Sequence, residues 1–121
     1  MGIIAGILLV LMSIAHNIYG EKKQIPDLKK LTQDSITLGS QRIMIFQGGI
    51  LLLTVGIIQI IVSANLVELN GVARYFPVGI VLINFCTALI ITVIAHKEIL
   101  KITTPQFVVF IVIIGLQLLS L

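Results

Sequence analysis

The segment IMIFQGGILLLTVGIIQIIVSANLV, residues 43–67, carries no charged side chain and is long enough to decide the fold of this chain. The hydrocarbon core of a bilayer is about 30 Å thick, and a helix of about 20 residues crosses it. Residues 2–20, 75–96 and 102–121 form three further segments of similar length without charge. The first has no charged start, so we expect a retained helix rather than a cleaved signal peptide. The sequence therefore predicts an all-α bundle of four transmembrane helices, a single integral membrane domain over residues 1–121.

Charge is confined to the connections between these segments. The eight basic and five acidic residues all lie at residues 21–42, 68–74 or 97–101. Charged residues make up only 11% of the chain and hydrophobic residues 58%, whereas a soluble domain has about 25% charged residues. A soluble domain of this size could not bury so much apolar surface in one core. The composition indicates that the partner of this chain is the lipid bilayer and not a nucleic acid.

The signs of the charges predict an orientation. Seven basic residues lie in the connections at residues 21–42 and 97–101, against Arg74 alone at residues 68–74. Cytoplasmic connections of membrane proteins are enriched in Lys and Arg. We therefore expect residues 21–42 and 97–101 in the cytoplasm and both termini outside the cell membrane.

The long first connection predicts a short amphipathic helix on the cytoplasmic interface. Ile25-Pro26-Asp27 is typical of a helix start, because Pro fits the first turn and Asp favours the positive end of the helix dipole. Gly39 would end this helix and Ser40 would cap the second span. An irregular polar loop is the alternative.

Turn residues mark the other helix starts. The Asn-Gly pair at residues 70–71 predicts a tight turn. Pro77 and Pro105 would begin spans three and four, where the missing N–H of proline costs little. Thr103 or Thr104 is the expected cap of the fourth span.

Small residues recur every seven positions in the first two spans. Close packing of helices in lipid depends on such residues, and a seven-residue spacing keeps them on one face of a left-handed crossing. The two stripes are expected to face each other or a neighbouring subunit. The predicted helix-packing residues are Gly6, Ser13 and Gly20 in the first span and Gly49, Gly56 and Ser63 in the second.

None of the four spans contains Asp, Glu, Lys or Arg. Carriers coupled to protons or sodium usually bind the ion through a membrane carboxylate, so the absence argues against them and against the four-helix multidrug exporters. The Asn and Phe pattern of small fluoride channels is not recognisable either. If the chain forms a path for a neutral or weakly charged solute, the candidate lining residues are Gln47, Gln59 and Asn84.

The remaining reactive side chains form no recognisable site. His16 and His96 end spans one and three, and they could hold a metal ion only as part of a larger ligand set, since two ligands are incomplete. We expect instead interfacial histidines that bond to water, headgroups or carbonyl oxygens. Cys86 has no predicted neighbouring base, and the serines have no His–carboxylate partners. The sequence predicts neither catalytic residues nor a cofactor.

Residues 15–22, Ala-His-Asn-Ile-Tyr-Gly-Glu-Lys, carry one local resemblance. They resemble a motif of small four-helix bacterial membrane proteins in which the first helix ends in His-Ser-x-x-Gly-Glu. His16, Gly20 and Glu21 match this motif, and Asn17 stands in place of the serine. The resemblance implies the four-span layout and no particular activity.

A second resemblance is one of type. Small Ile-rich chains without chemistry of their own are similar to accessory subunits of large membrane enzymes, such as the extra small subunits of archaeal ammonia monooxygenase. This resemblance implies a non-catalytic structural subunit, with other integral membrane subunits as partners, in a complex such as a membrane monooxygenase. The alternative is a small homo-oligomeric channel or carrier for a neutral or weakly charged solute.

Overall fold

Four helical stretches dominate the computed structural model, which describes all residues from Met1 to Leu121. They run from Gly2 to Leu31, Ser35 to Ser63, Gly71 to Ile94 and Lys97 to Leu119, and each is long and apolar enough to cross a membrane. The prediction of an all-α chain with four such helices is confirmed. Their insertion and orientation in a membrane stay predictions.

The first stretch contains three consecutive elements. Helix α1 (Gly2–Tyr19) continues through a π-helical segment (Gly20–Gln24) into α2 (Ile25–Leu31) without leaving helical backbone angles. Pro26 has no N–H, and its ring would clash with the carbonyl group four residues earlier in a regular helix. The wider π-helical turn directly before it relieves that clash. Ile25, Pro26 and Asp27 are therefore helical as expected, but no helix starts there, because α2 continues α1.

The predicted helix end at Gly39 and cap at Ser40 are wrong. Helix α2 ends at Leu31, and α3 (Ser35–Ser63) begins after a three-residue turn. Asp34 caps α3, because its Oδ2 accepts hydrogen bonds from the backbone N–H of Thr37 at 2.9 Å and from its hydroxyl at 2.6 Å. Asp is as good a cap as Ser, and this one gains the second bond, so Gly39 and Ser40 fall inside the helix.

A left-handed residue ends α3 before the predicted limit of the second span. Asn65 has φ 58°, and the N–H of Leu66 bonds back to the carbonyl oxygen of Ile61 at 3.1 Å. This is the geometry with which many helices end. Residues 64–70 then connect α3 to a short 3₁₀ turn (Gly71–Tyr75), where Gly71 also has positive φ.

The two later prolines behave differently. Pro77 lies in the first turn of α4 (Phe76–Ile94), as predicted. Pro105 lies inside α5 (Leu100–Leu119), which starts earlier because a 3₁₀ turn (Lys97–Ile99) leads directly into it. The predicted caps are also wrong, since the hydroxyl groups of Thr103 and Thr104 donate to carbonyl oxygens of the preceding turn.

Helices α1, α3, α4 and α5 form a ring, in that order, in which each packs beside two others. Both α1 and α4 lie between α3 and α5, so α1 and α4 occupy opposite corners, and the α1–α3 pair is the most extensively packed. All four helices contribute to one buried apolar cluster. Its members are Leu9, Leu52, Val55, Val81, Phe110 and Ile113. Most large apolar side chains outside the cluster are exposed on the outer faces of the helices.

Candidate functional site

Glycines allow α1 and α3 to touch through their backbones. A Cβ atom added to Gly6 would lie 2.8 Å from the carbonyl oxygen of Gly56, and one added to Gly56 would lie 2.9 Å from the carbonyl oxygen of Gly6. Ser13, which lies on α1 between Gly6 and Gly20, is also buried. The structure thus brings the middle of the two predicted stripes together within one chain.

The outer members of the stripes meet other side chains. Gly20 faces Ile45, and Gly49 faces the amide group of Asn17, whose Oδ1 is buried without a hydrogen-bond partner. Ser63 lies against Gly2 at the far end. The stripes form a continuous interface, and a neighbouring subunit is not needed to cover them.

A buried pair of amides crosses the bundle near the end that holds the chain termini. Gln117 of α5 donates from Nε2 to Oε1 of Gln59 of α3, at 3.1 Å. Gln59 donates in turn to the Oγ atoms of Ser63 and Ser120, at 3.2 and 3.4 Å. Gln117 is only 1% exposed, and its own Oε1 has no partner. These hydrogen bonds join α3 and α5, which lie at opposite corners of the ring.

A cavity of about 470 Å³ opens above this pair. We call it the polar vestibule. It is lined by the amide groups of Gln59 and Gln117 and the hydroxyl groups of Ser63 and Ser120, with Glu68 and Arg74 also in its wall. Arg74 donates to the carbonyl oxygen of Leu121. This arrangement can hold water or a small polar molecule at one end of the bundle.

The vestibule does not continue through the chain. Leu52 and Val55 lie on α3 one to two turns below Gln59, and both belong to the buried apolar cluster. Of the three candidate path residues, only Gln59 is buried. Gln47 and Asn84 lie on exposed faces of their helices, so a single chain does not bring the three residues together, and a path between copies of the chain stays a prediction.

The two histidines have separate surroundings. His16 donates from Nε2 to the carbonyl oxygen of Ile45, at 3.1 Å, across the α1–α3 interface. His96 lies on the surface, where its Nδ1 is 3.1 Å from Oε1 of Glu98. No three His, Cys, Asp or Glu side chains come together in a group that could hold a metal ion.

A second, smaller cavity of about 330 Å³ lies beside His16, at the opposite end of the bundle from the polar vestibule. Tyr19, Gln24 and Gln106 contribute further polar groups to its wall. Neither cavity could be predicted from the sequence, because each is lined by residues from helices far apart along the chain.

These features indicate a general class of protein and do not link the chain to a known family. The chain matches no protein-family model, no curated protein and no solved structure. It is a small all-α bundle whose four helices are apolar enough to cross a membrane, which indicates a multi-pass membrane protein.

Proposed function

We propose that the chain is a non-catalytic accessory subunit of a multi-subunit membrane protein complex. The complex lies in the cell membrane, with residues 21–42 and 97–101 in the cytoplasm and both termini outside. The resemblance to small accessory subunits makes a membrane monooxygenase one candidate for the complex.

The exposed amide of Asn84 carries the proposal. Asn84 lies in the middle of α4, and its side chain makes a single hydrogen bond, from Nδ2 to the carbonyl oxygen of Ile80 at 3.0 Å. An amide has a second N–H and a carbonyl oxygen that can both form bonds. Lipid offers no partner to these groups, so polar residues of membrane helices usually face protein. A helix of another subunit against α4 supplies the missing partners.

Two further observations support this reading. Gly79 on α4 has no atom within 4 Å of the position of a Cβ, and a glycine on an outer face permits close approach of another helix. The interior of the bundle, in contrast, is closed by six apolar side chains and holds no charged residue. The features available for interaction therefore lie on the outside of the chain.

Co-purification from the native membrane in mild detergent tests the proposal. We expect other integral membrane subunits to elute with the chain, and Asn84→Leu to reduce their yield. Thr54→Val is the matched control, because the exposed hydroxyl of Thr54 already donates its only hydrogen to the carbonyl oxygen of Ile50, at 2.8 Å. A chain that elutes alone and monodisperse contradicts the proposal.

The polar vestibule favours a second candidate function. A homo-oligomeric channel or carrier for a neutral or weakly charged solute would bind the solute at Gln59, while Gln47 and Asn84 would line a route between copies. Solute flux into liposomes that hold the purified chain tests this function, and Gln59→Leu and Asn84→Leu are both expected to abolish it. Absence of flux under all conditions contradicts it.

A further inference from the structure

The first two helical stretches are longer than the last two. Gly2–Leu31 and Ser35–Ser63 hold 30 and 29 residues, against 24 and 23 for Gly71–Ile94 and Lys97–Leu119. At 1.5 Å per residue this is about 45 Å against about 35 Å. Helices α1, α3, α4 and α5 meet at the polar vestibule, which Gly2, Ser63, Pro77 and Ser120 line together, and the third stretch reaches this level only at Pro77, six residues after its start. The extra length, about 10 Å, therefore projects at the other end.

We call the projecting part the hairpin tip; it comprises residues 21–42. A bilayer with its headgroups is about 40–45 Å thick. In the membrane placement proposed above, a stretch of about 45 Å that starts at one surface ends among the headgroups of the other. The depth of the tip thus matches the layer of lipid phosphates.

Ion pairs leave two of the lysines in the tip without an acidic partner. Asp27 binds Lys23 at 3.1 Å and Lys30 at 3.4 Å. Lys22 and Lys29 make no ion pair, and they lie seven residues apart along the same helical stretch.

The other acidic groups of the tip are also engaged. Glu21 binds Arg42, with 2.6 Å between Oε1 and Nε, and Asp34 caps α3. The tip contains five basic and three acidic residues, so an excess of two positive charges remains, equal in number to the two unpaired lysines.

Apolar side chains flank the turn beside these charges. Leu31 is 86% exposed and Ile36 is 79% exposed. Exposed apolar groups next to lysines are typical of segments that lie at a membrane interface.

We infer that the hairpin tip binds anionic phospholipid headgroups, with Lys22 and Lys29 pairing with phosphate groups. Lys22 lies about 10 Å closer to the membrane centre than Lys29, and its long side chain extends to the phosphate layer. Charge complementarity and the depth of the tip favour lipid over an acidic surface of a soluble protein. The inference rests on the proposed membrane placement, but it does not require a partner subunit.

Native mass spectrometry of the full chain released from nanodiscs tests this inference. The discs contain phosphatidylcholine and phosphatidylglycerol in equal amounts, and the ratio of the two lipids retained on the protein is measured. We expect phosphatidylglycerol to be enriched, and the variant K22Q/K29Q to lower the enrichment by about fivefold per lysine. K97Q/K101Q is the matched control, because it removes two charges from the other connection on the same side, and it should retain the enrichment.

Three other outcomes would contradict either the lipid site or the membrane placement. Insertion without enrichment, or an equal loss in K22Q/K29Q and K97Q/K101Q, overturns the lipid site at the tip. Loss of a co-purifying protein from K22Q/K29Q with unchanged lipid ratios assigns the tip to a protein partner instead. Failure to enter the discs overturns the membrane placement itself.

Discussion

The α1–α3 pair and the α4–α5 pair use their glycines in opposite ways. Gly6 and Gly56 bring two backbones into contact, whereas Gly79 on α4 and Gly115 on α5 have nothing within 4 Å of a Cβ position. Both pairs are apolar and similarly helical, so composition does not separate them. The first pair therefore forms an interface that is complete within the chain, while the second presents outer faces that the chain itself does not cover.

Substitution of the central glycine should break the first pair. Gly56→Val places atoms where the backbone of Gly6 and the side chains of Leu9 and Val10 already lie. Since a backbone carbonyl cannot move aside cheaply, we expect a loss of about 3 kcal/mol in the free energy of unfolding, measured by reversible unfolding in mixed micelles. Gly115→Val, into open space, should change it by less than about 0.5 kcal/mol. Equal effects of the two substitutions would remove the distinction between the pairs.

Loss of the hydrogen bond between the side-chain amides of Gln117 and Gln59 should have a smaller effect on the free energy of unfolding. Gln59→Leu leaves Nε2 of Gln117 buried without its acceptor, at a cost of about 1–3 kcal/mol. Gln59→Leu/Gln117→Leu removes both groups and should recover part of this loss. Unfolding of the two single variants and the double variant gives the coupling energy, which we expect to be about 1 kcal/mol. A coupling of zero would show that α3 and α5 are not joined at this end.

The cap of α3 should give the smallest effect, and one that depends on pH. Hydrogen bonds from the hydroxyl group and then the backbone N–H of Thr37 lower the pKa of Asp34 below its ordinary value of 3.8. The cap therefore contributes fully above the unfolded pKa and is lost as the pH falls through the lower folded pKa. We expect amide-exchange protection of Thr37 to decrease below about pH 4, while Asp34→Asn should remove this dependence. Protection that is constant down to pH 2 in the unmodified chain would rule out the cap.

The helices were predictable and their ends were not. Four helices follow from the charge pattern because lipid demands about 20 uncharged residues from each span independently. The boundaries predicted from Gly39 and Pro105 were wrong because each residue is compatible with a helix boundary but does not require one. The Asp34 cap starts α3 before Gly39, and the 3₁₀ turn before α5 starts that helix before Pro105.

The candidate site was predictable only where spacing is regular. The seven-residue stripes pointed to Gly6 and Gly56, which do meet. Nothing local links Gln59 to Gln117, which are 58 residues apart and belong to helices on opposite corners of the ring. Asn84 and Gln47 were recognised as polar, but the sequence could not show that they face outward.

We propose that another protein covers the outer face of α4. Photo-crosslinking in the intact native membrane tests this, with p-benzoylphenylalanine introduced in place of Ile91, an exposed residue seven positions from Asn84 on the same face of α4, and, as a control, in place of Leu11, an exposed apolar residue of α1. We expect a crosslinked adduct with another membrane protein from position 91 and lipid adducts from position 11. Lipid adducts alone from both positions would contradict it.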